Sequence, residues 1–536
     1  MIIGLYLRRI FIVIFFCLSI IAPLPSIAAD SSTGATNEIR IMDVVRTALE
    51  KDATVRIYKS QQTVAAANEQ STKAQFDPQL KASVARSTEY SPISQEQQNI
   101  FRRLGAPDVT KSKQSAFSYN VGYEKRYRSG LAISPSITVS TSESNNPSSR
   151  VPLTSGKVQF AVIKPLSRGK NSDANTVYEK TSKIESESAS LDCLHTISQT
   201  ARGAILAYWN YAYSYKALKI AQESKARSEK LYNDTKTLVE SSEVPPAELD
   251  QLQASLNQKL ADCEKASQSL LQTKNDLKIA MGITGDSSFE IGPPADFFPT
   301  EKIVNGTVEV ASLTKKLMDF ALANRNDYLA AKKRLESFKF TITAARDSLK
   351  PQIDLQIAAG YNGRQDDKGA AAIISALHDN VPGTNVSATV NYSIPIGRRS
   401  ARADVVKQEE QYMQARIKAD EIVRLINFTL ETRVNAVSSI INRYKSMIES
   451  GRLYDKALQN EREKNRMGVS TLLDVVNLED RLGQAELSLE SAVLEYASAI
   501  VNLRYEAGCL GTMTTSECEI KFEDIMALPE VKNLEK

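Results

Sequence analysis

Apolar side chains recur along this chain at two different periods, and each period predicts a different architecture. Ile353, Leu355, Ile357, Ala359 and Tyr361 alternate with Asp354, Gln356, Ala358 and Gly360, and Val386, Ala388, Val390, Tyr392 and Ile394 alternate with Ser387, Thr389, Asn391 and Ser393. Period two with one apolar and one polar face predicts strands, with lipid or a core on one side and water on the other. Leu80 to Val84, Phe117 to Tyr123, Leu131 to Val139 and Val158 to Val162 alternate in the same way, with a hairpin turning near Ser129 and Gly130. A small soluble sheet would carry the same pattern. A lone pair of strands is not stable in water, however, so strands shared among several chains fit better. Elsewhere the period is helical. From about Lys170 to Val239 and from Arg398 to Arg466 no proline interrupts the chain, and roughly 70 residues of helix reach about 100 Å. Leu478, Leu482, Ala485, Leu489, Ala492, Tyr496, Ala499 and Leu503 keep an unbroken four-three spacing, which is a coiled-coil seam.

The pattern is duplicated. The segment from Ala48-Leu49 to Pro78-Gln79-Leu80 matches Ala321-Leu322 to Pro351-Gln352-Ile353 at a constant offset of 273 residues, while Ser242, Glu248 and Gly282 match Gly468, Asp474 and Gly508 at an offset of 226. The first copy therefore carries extra material, mostly between Pro78 and Pro165, which lie 87 residues apart against 44 for Pro351 and Pro395. Each copy holds a helix, a strand region, a very long helix, a turn and a shorter helix. The expected organisation is a first structural repeat at 29–300 with an extra hairpin, a second at 301–510, and a C-terminal tail at 511–536.

Composition narrows the function classes. Lys and Arg total 67 against 63 Asp and Glu, for a net charge of +4, which argues against a nucleic-acid-binding surface. The two histidines, His195 and His378, have no neighbouring spacing suggestive of a metal site; no metal and no cofactor are expected. Arg8 and Arg9 precede the apolar run Ile10 to Ile21, and Ser26-Ile27-Ala28 offers a small-residue cleavage site, so residues 1–28 read as a signal peptide. Beyond them no window is apolar for long enough to span a bilayer as a helix. A membrane crossing would have to be made by strands. Cys193, Cys263, Cys509 and Cys518 would then enter an oxidising compartment. With a turn near Glu243, Cys193 lies 50 residues before it and Cys263 only 20 after, a mismatch of about 45 Å along antiparallel helices. These two should stay unbridged, and the spacing of Leu249, Leu252, Leu256, Leu260 and Cys263 suggests a buried apolar Cys263. Cys509 and Cys518 flank a short segment and are the expected disulfide, tying the tail to the end of the last long helix.

Three further segments carry a resemblance. Arg466-Met467-Gly468-Val469-Ser470-Thr471-Leu472-Leu473-Asp474-Val475-Val476 suits a helix-turn-helix tip: Gly468 can take the left-handed conformation that ends a helix, and Ser470 or Thr471 can cap the next. Its first-copy counterpart is Ser242-Glu243-Val244-Pro245-Pro246-Ala247-Glu248-Leu249, whose prolines suit a first helical turn. Ala207-Tyr208-Trp209-Asn210 lies in the first long helix. In order, duplication and spacing these resemble the TolC-type outer-membrane efflux proteins over nearly all of the mature chain.

The resemblance implies a mainly α fold with a β-barrel part. Long antiparallel coiled-coil helices form a periplasmic tunnel, and four strands per subunit of a homotrimer form a shared twelve-stranded transmembrane barrel. It implies a passive exit duct of a tripartite efflux or type I secretion system in a Gram-negative-type outer membrane, and not an enzyme. The tips Ser242, Glu243, Val244, Pro245, Gly468, Val469, Ser470 and Thr471 would contact a periplasmic adaptor, and an inner-membrane RND or ABC transporter would supply the energy. Family members carry two aspartates one turn apart at a periplasmic gate; here Asp474 matches the first and Asn477 stands at the second, which weakens the ring. Glu479 and Asp480 read as solvated helix-surface charge. The rival reading is a periplasmic coiled-coil scaffold without a pore. An envelope hydrolase has no supporting arrangement of nucleophile, base and oxyanion donors.

Overall fold

The structure is a computed structural model, and it describes residues 38–105, 111–146, 151–241, 245–285, 289–304, 310–379, 381–513 and 518–529. The expected signal peptide and the tip residues Ser242, Glu243 and Val244 lie outside the described residues.

Helices α1 (Ile41–Lys51) and α2 (Ala53–Lys73) lead into β1 (Gln79–Pro92), α3 (Gln95–Arg103) and the strands β2 (Lys111–Arg126), β3 (Ala132–Ser144) and β4 (Leu153–Pro165). A four-residue turn of helix, α4 (Ser172–Asn175), precedes the first long hairpin, α5 (Val177–Glu240) and α6 (Ala247–Ala280). The order then repeats: α7 (Glu301–Val304), α8 (Val310–Asn324), α9 (Asn326–Asp347), β5 (Gln352–Gln365), α10 (Ala370–His378), β6 (Thr384–Ser393) and a second long hairpin, α11 (Arg399–Arg466) and α12 (Leu472–Ala507). The 64 and 68 residues of α5 and α11 correspond to about 100 Å each. They run as the unbroken periodicity predicts.

All six long strands lie in one antiparallel sheet in the order β1-β2-β3-β4-β5-β6. The predicted turn at Ser129-Gly130 joins β2 to β3. Gly130 has φ 81°, and a Cβ there would come within 2.8 Å of Gly169, Pro165 and Asn175, so glycine is required both by conformation and by space.

Halfway along the long helices, the main core is built from both repeats. Tyr208 and Trp209 of α5 pack edge-on, Trp209 meets Phe298 at 5.8 Å between centroids, and Phe298 meets Tyr496 of α12 at 5.5 Å. Ile41, Val44, Ile426, Leu430, Ile500 and Leu503 complete it. The Tyr208 hydroxyl accepts from the Asp296 amide at 2.9 Å, which satisfies a polar atom that burial would otherwise penalise. The described residues beyond 511 pack against the rest of the chain. They make the two-stranded ladder β7 (Thr512–Met513) and β8 (Cys518–Glu519) and the short α13 (Phe522–Met526), and Ile520, Ile525 and Met526 are buried in the same core.

Of the cysteines, Cys193 is a free thiol buried with Val55, Leu194 and Ile197. Cys263 is also a free thiol but only half-buried, because α6 buries little besides Leu252 and Leu277 in one subunit. The Cys518 backbone pairs with Met513; its side chain, and with it the expected bridge to Cys509, lies outside the described residues.

One polar cluster ties α5, α9 and α12 together. Arg325 donates to Asp327 at 2.7 Å and to Glu506 at 2.7 Å, and the Tyr505 hydroxyl lies 3.4 Å from His195 Nε2. Burial opposes ionisation of Asp327, yet the hydrogen bonds and charge of Arg325 prevail and hold its carboxyl below the ordinary range. Burial likewise holds His195 below its ordinary 6.5, with Arg325 acting in the same sense and Asp327, Asp192 and Glu506 opposing. A group whose pKa is lower in the folded chain favours the unfolded chain as it gains its proton, so its contribution is lost as pH falls. Thermal stability should therefore drop as pH falls from about 6.5 through the folded value. His195→Phe should flatten that part of the pH profile in melting experiments; an unchanged profile would remove His195 as its source.

Candidate functional site

The sheet presents one continuous apolar face. By register, Leu80 and Val84 of β1 share a side with Tyr119, Val121 and Tyr123 of β2, Ile137 of β3, Phe160 of β4, Ile357 of β5, and Val386, Val390 and Tyr392 of β6. All of these side chains are exposed. An exposed apolar patch that crosses six strands marks a surface made for a nonaqueous neighbour. The opposite face carries Ser134, Ser136, Thr138 and Ser140 on β3, Asn120 on β2 and Ser387 and Thr389 on β6, with Lys81 paired to Glu124 at 2.5 Å. No described helix is long and apolar enough to cross a membrane. Apolar-out and polar-in alternation across a curved antiparallel sheet is the pattern of a transmembrane barrel wall.

The second candidate feature is the turn between α11 and α12. Gly468 has φ 72°, the Val469 amide donates to Lys464 O at 2.9 Å and the Gly468 amide to Asn465 O at 2.9 Å. This is a Schellman closure, which satisfies carbonyls that the end of α11 leaves open. Thr471 then caps α12: its hydroxyl accepts from the Asp474 amide at 3.3 Å, and the Asp474 carboxylate accepts from the Thr471 hydroxyl at 2.6 Å. Ser470 is not the cap; its hydroxyl donates to Glu461. That bond and Lys464 hold the Glu461 carboxyl below its ordinary range. Met467 and Val469 project from the turn at 69% and 75% exposure. The other hairpin approaches here, since Glu248, Gln251 and Leu252 of α6 share an open groove of about 260 Å³ with Thr471, Leu472, Leu473 and Val476. Pro245 and Pro246 stand just before the first turn of α6.

Asp474 and Asn477 are both exposed, one turn apart on α12, and so share a helix face. Glu479 and Asp480 are not solvated charge. Glu479 is 8% exposed and accepts from Arg462 of α11, while Asp480 pairs with Lys259 of α6 at 2.5 Å. Further along α12, Glu486 faces Arg227 of α5 at 3.6 Å without hydrogen-bond geometry, Glu490 pairs with Lys216 of α5 at 2.9 Å, and Glu495 pairs with Arg443 of α11. The acidic side of α12 is thus distributed among three basic neighbours. Sequence reasoning missed these partners. The available signal was that Glu479 and Glu486 immediately follow or flank seam residues, where coiled coils place inter-helix charge. Among the described residues no group of His, Cys, Asp or Glu is arranged to hold a metal.

The cap makes a measurable contribution. Thr471→Ala should destabilise the start of α12 by about 1 kcal/mol, seen as faster amide exchange at Leu472 to Val475 with little change in the main core. Unchanged exchange there would show that the cap does not hold the turn.

The geometry agrees with comparisons to known proteins. Residues 317–508 match the family model described as outer membrane efflux protein. No curated relative matches the sequence. Among solved structures, CusC superposes with a TM-score of 0.64 at 13% identity, covering 92% of this chain and 99% of its own. The outer-membrane channel OprN gives 0.63 at 14% identity over 87% and 89%, and the Campylobacter jejuni CmeC outer membrane channel gives 0.60 at 14% over 92% and 93%. Residues 317–508 are thus similar to the outer membrane efflux protein family, and the chain has along most of its length the fold of these solved outer-membrane channels.

Proposed function

We propose that this chain is one subunit of a passive exit duct in the outer membrane, assembled as a homotrimer. The apolar face of the sheet would meet lipid, and the long hairpins would extend into the periplasm as a helical tunnel. The observation that carries this reading is the exposed apolar face on the same chain as two helices of about 100 Å, each turning back into a shorter one. Single strands cannot cross a bilayer with open edges, so several chains must share the wall. Met467 and Val469, with the prolines of the first tip, would offer the surface for a periplasmic adaptor, and an inner-membrane RND or ABC transporter would deliver the cargo.

Opening would separate the two hairpins at their tips. Lys259 to Asp480 and Lys216 to Glu490 both cross from one hairpin to the other, so they are the contacts that such a motion breaks. Asp474 and Asn477, repeated around a threefold axis, would form the narrow acidic ring, with Asp474 as its only carboxylate.

The protein should be recovered from outer membranes as an oligomer resistant to detergent. Recovery as a monomer in the soluble periplasmic fraction would favour the scaffold reading instead. In bilayer recordings Asp474→Ala should reduce cation preference by roughly twofold or more, because a ring of carboxylates sets the local potential. Glu479→Ala, whose carboxylate is committed to Arg462, should change it little. Equal effects from both would place the ring elsewhere.

A further inference from the structure

The hairpin β2–β3 is the part of the first repeat that has no counterpart in the second. There β5 and β6 pair directly, from Gln352 with Ser393 to Tyr361 with Thr384. In the first repeat β1 instead pairs with β2, from Gln79 with Glu124 to Pro92 with Lys111, and β3 pairs with β4, from Ala132 with Ile163 to Ser142 with Leu153. The insertion therefore stands between the two strands that would otherwise meet. An external cap or a plug folded into the lumen would leave those ladders unmade.

Its base is fixed as firmly as its sides. Arg128 donates twice to Glu179 of α5, at 2.8 and 2.7 Å, and stacks on the Phe76 ring at 4.9 Å. Lys164 donates to Ser129 O at 3.0 Å, and Gly130 lies against Gly169 and Asn175. Its apolar side continues the exposed face through Tyr119, Val121 and Ile137. The opposite side adds Ser136, Thr138 and Ser140, small neutral side chains that leave space. Helix α10 rests across Gly156, which belongs to the apolar side, so it does not enter the polar side.

We propose that the inserted hairpin is part of the barrel wall, and that three copies close β1 of each against β6 of the next to make an eighteen-stranded barrel with a wide, polar lumen suited to bulky cargo. This rests on the trimeric channel reading above. The two strands have the right sense, since β1 and β6 run in opposite directions within one antiparallel sheet of six. Both are exposed along their whole length in the single chain, as edges awaiting a partner are. With strands about 4.8 Å apart and tilted about 40°, eighteen strands enclose a backbone diameter of roughly 36 Å, against roughly 24 Å for twelve. The outer-membrane segment would then set no size limit, and selection by size would fall to the helical tips.

Single-particle imaging of the detergent-purified protein tests this directly: the expected view is a ring of six strands per subunit, about 36 Å across. A ring of four strands per subunit, with the hairpin outside it, would overturn the inference and leave the channel reading intact. A ring of two subunits would overturn it as well, and no membrane-embedded ring at all would overturn the channel reading itself. Disulfide trapping supplies a second measurement. Ala85→Cys combined with Ser387→Cys or Thr389→Cys should link neighbouring subunits into a covalent species under non-reducing conditions, and Thr138→Cys combined with the same partners should not. The reverse result would mean that β3, not β1, forms the seam. A chain lacking residues 95–150, which lets β1 pair with β4 as β5 pairs with β6, should still trimerise, and its cutoff for polyethylene glycols added from the barrel side should fall by about a third in diameter. An unchanged cutoff would show that the hairpin does not widen the wall.

Discussion

Backbone hydrogen bonding inside hydrocarbon is the constraint on which the rest of this structure depends. A peptide group that meets lipid must be paired, and a sheet can achieve that only by closing on itself. This chain carries a six-stranded sheet whose two outer strands are exposed throughout. Its apolar side is exposed as well. A single copy is therefore an arc with unsatisfied edges and an uncovered face, and each shortfall is met by a different neighbour. Further copies would pair the edges, and lipid would cover the face.

The middle of the two long helices, about 45 Å from the sheet, is where the chain behaves as an ordinary globular protein. Tyr208, Trp209, Phe298 and Tyr496 stack edge to face, and residues from α1, α5, α11, α12 and the C-terminal segment close around them. Burial on α12 is broad here, with Ala492, Val493, Tyr496, Ala497, Ile500 and Val501 all inside. Toward the tip it narrows to Leu482 and Val475. The hairpins are thus firmly packed at one end and held at the other mainly by a seam and by ion pairs. Exposed and half-exposed ion pairs contribute little each, and those between the hairpins are breakable contacts. Such a gradient would let the proposed duct open at its tips without losing its root.

Much of this was legible in the chain itself. Unbroken helical periodicity between prolines marked both long helices, to within a residue for α11 and within seven residues at the start of α5, because a helix is a local structure and its interruptions are local too. Period-two alternation marked the strands, and the spacing of Gly468 and Thr471 marked the turn, since capping depends on a few adjacent residues. The duplication showed that both halves obey one plan and that the first half carries an insertion.

What the sequence could not determine was set by contacts between distant segments. Glu479 and Asp480 resemble any solvated pair until α11 and α6 bring Arg462 and Lys259 against them. Residues 511–536 read as a tail because they follow the last long helix, yet Ile520 and Ile525 are buried in the main core. The place of the extra hairpin was undecidable from alternation, because a strand has the same period whether it lies in a wall, a cap or a plug. Only the pairing of β2 with β1 and of β3 with β4 placed it within the sheet, for register is a property of two strands and is written in neither one alone.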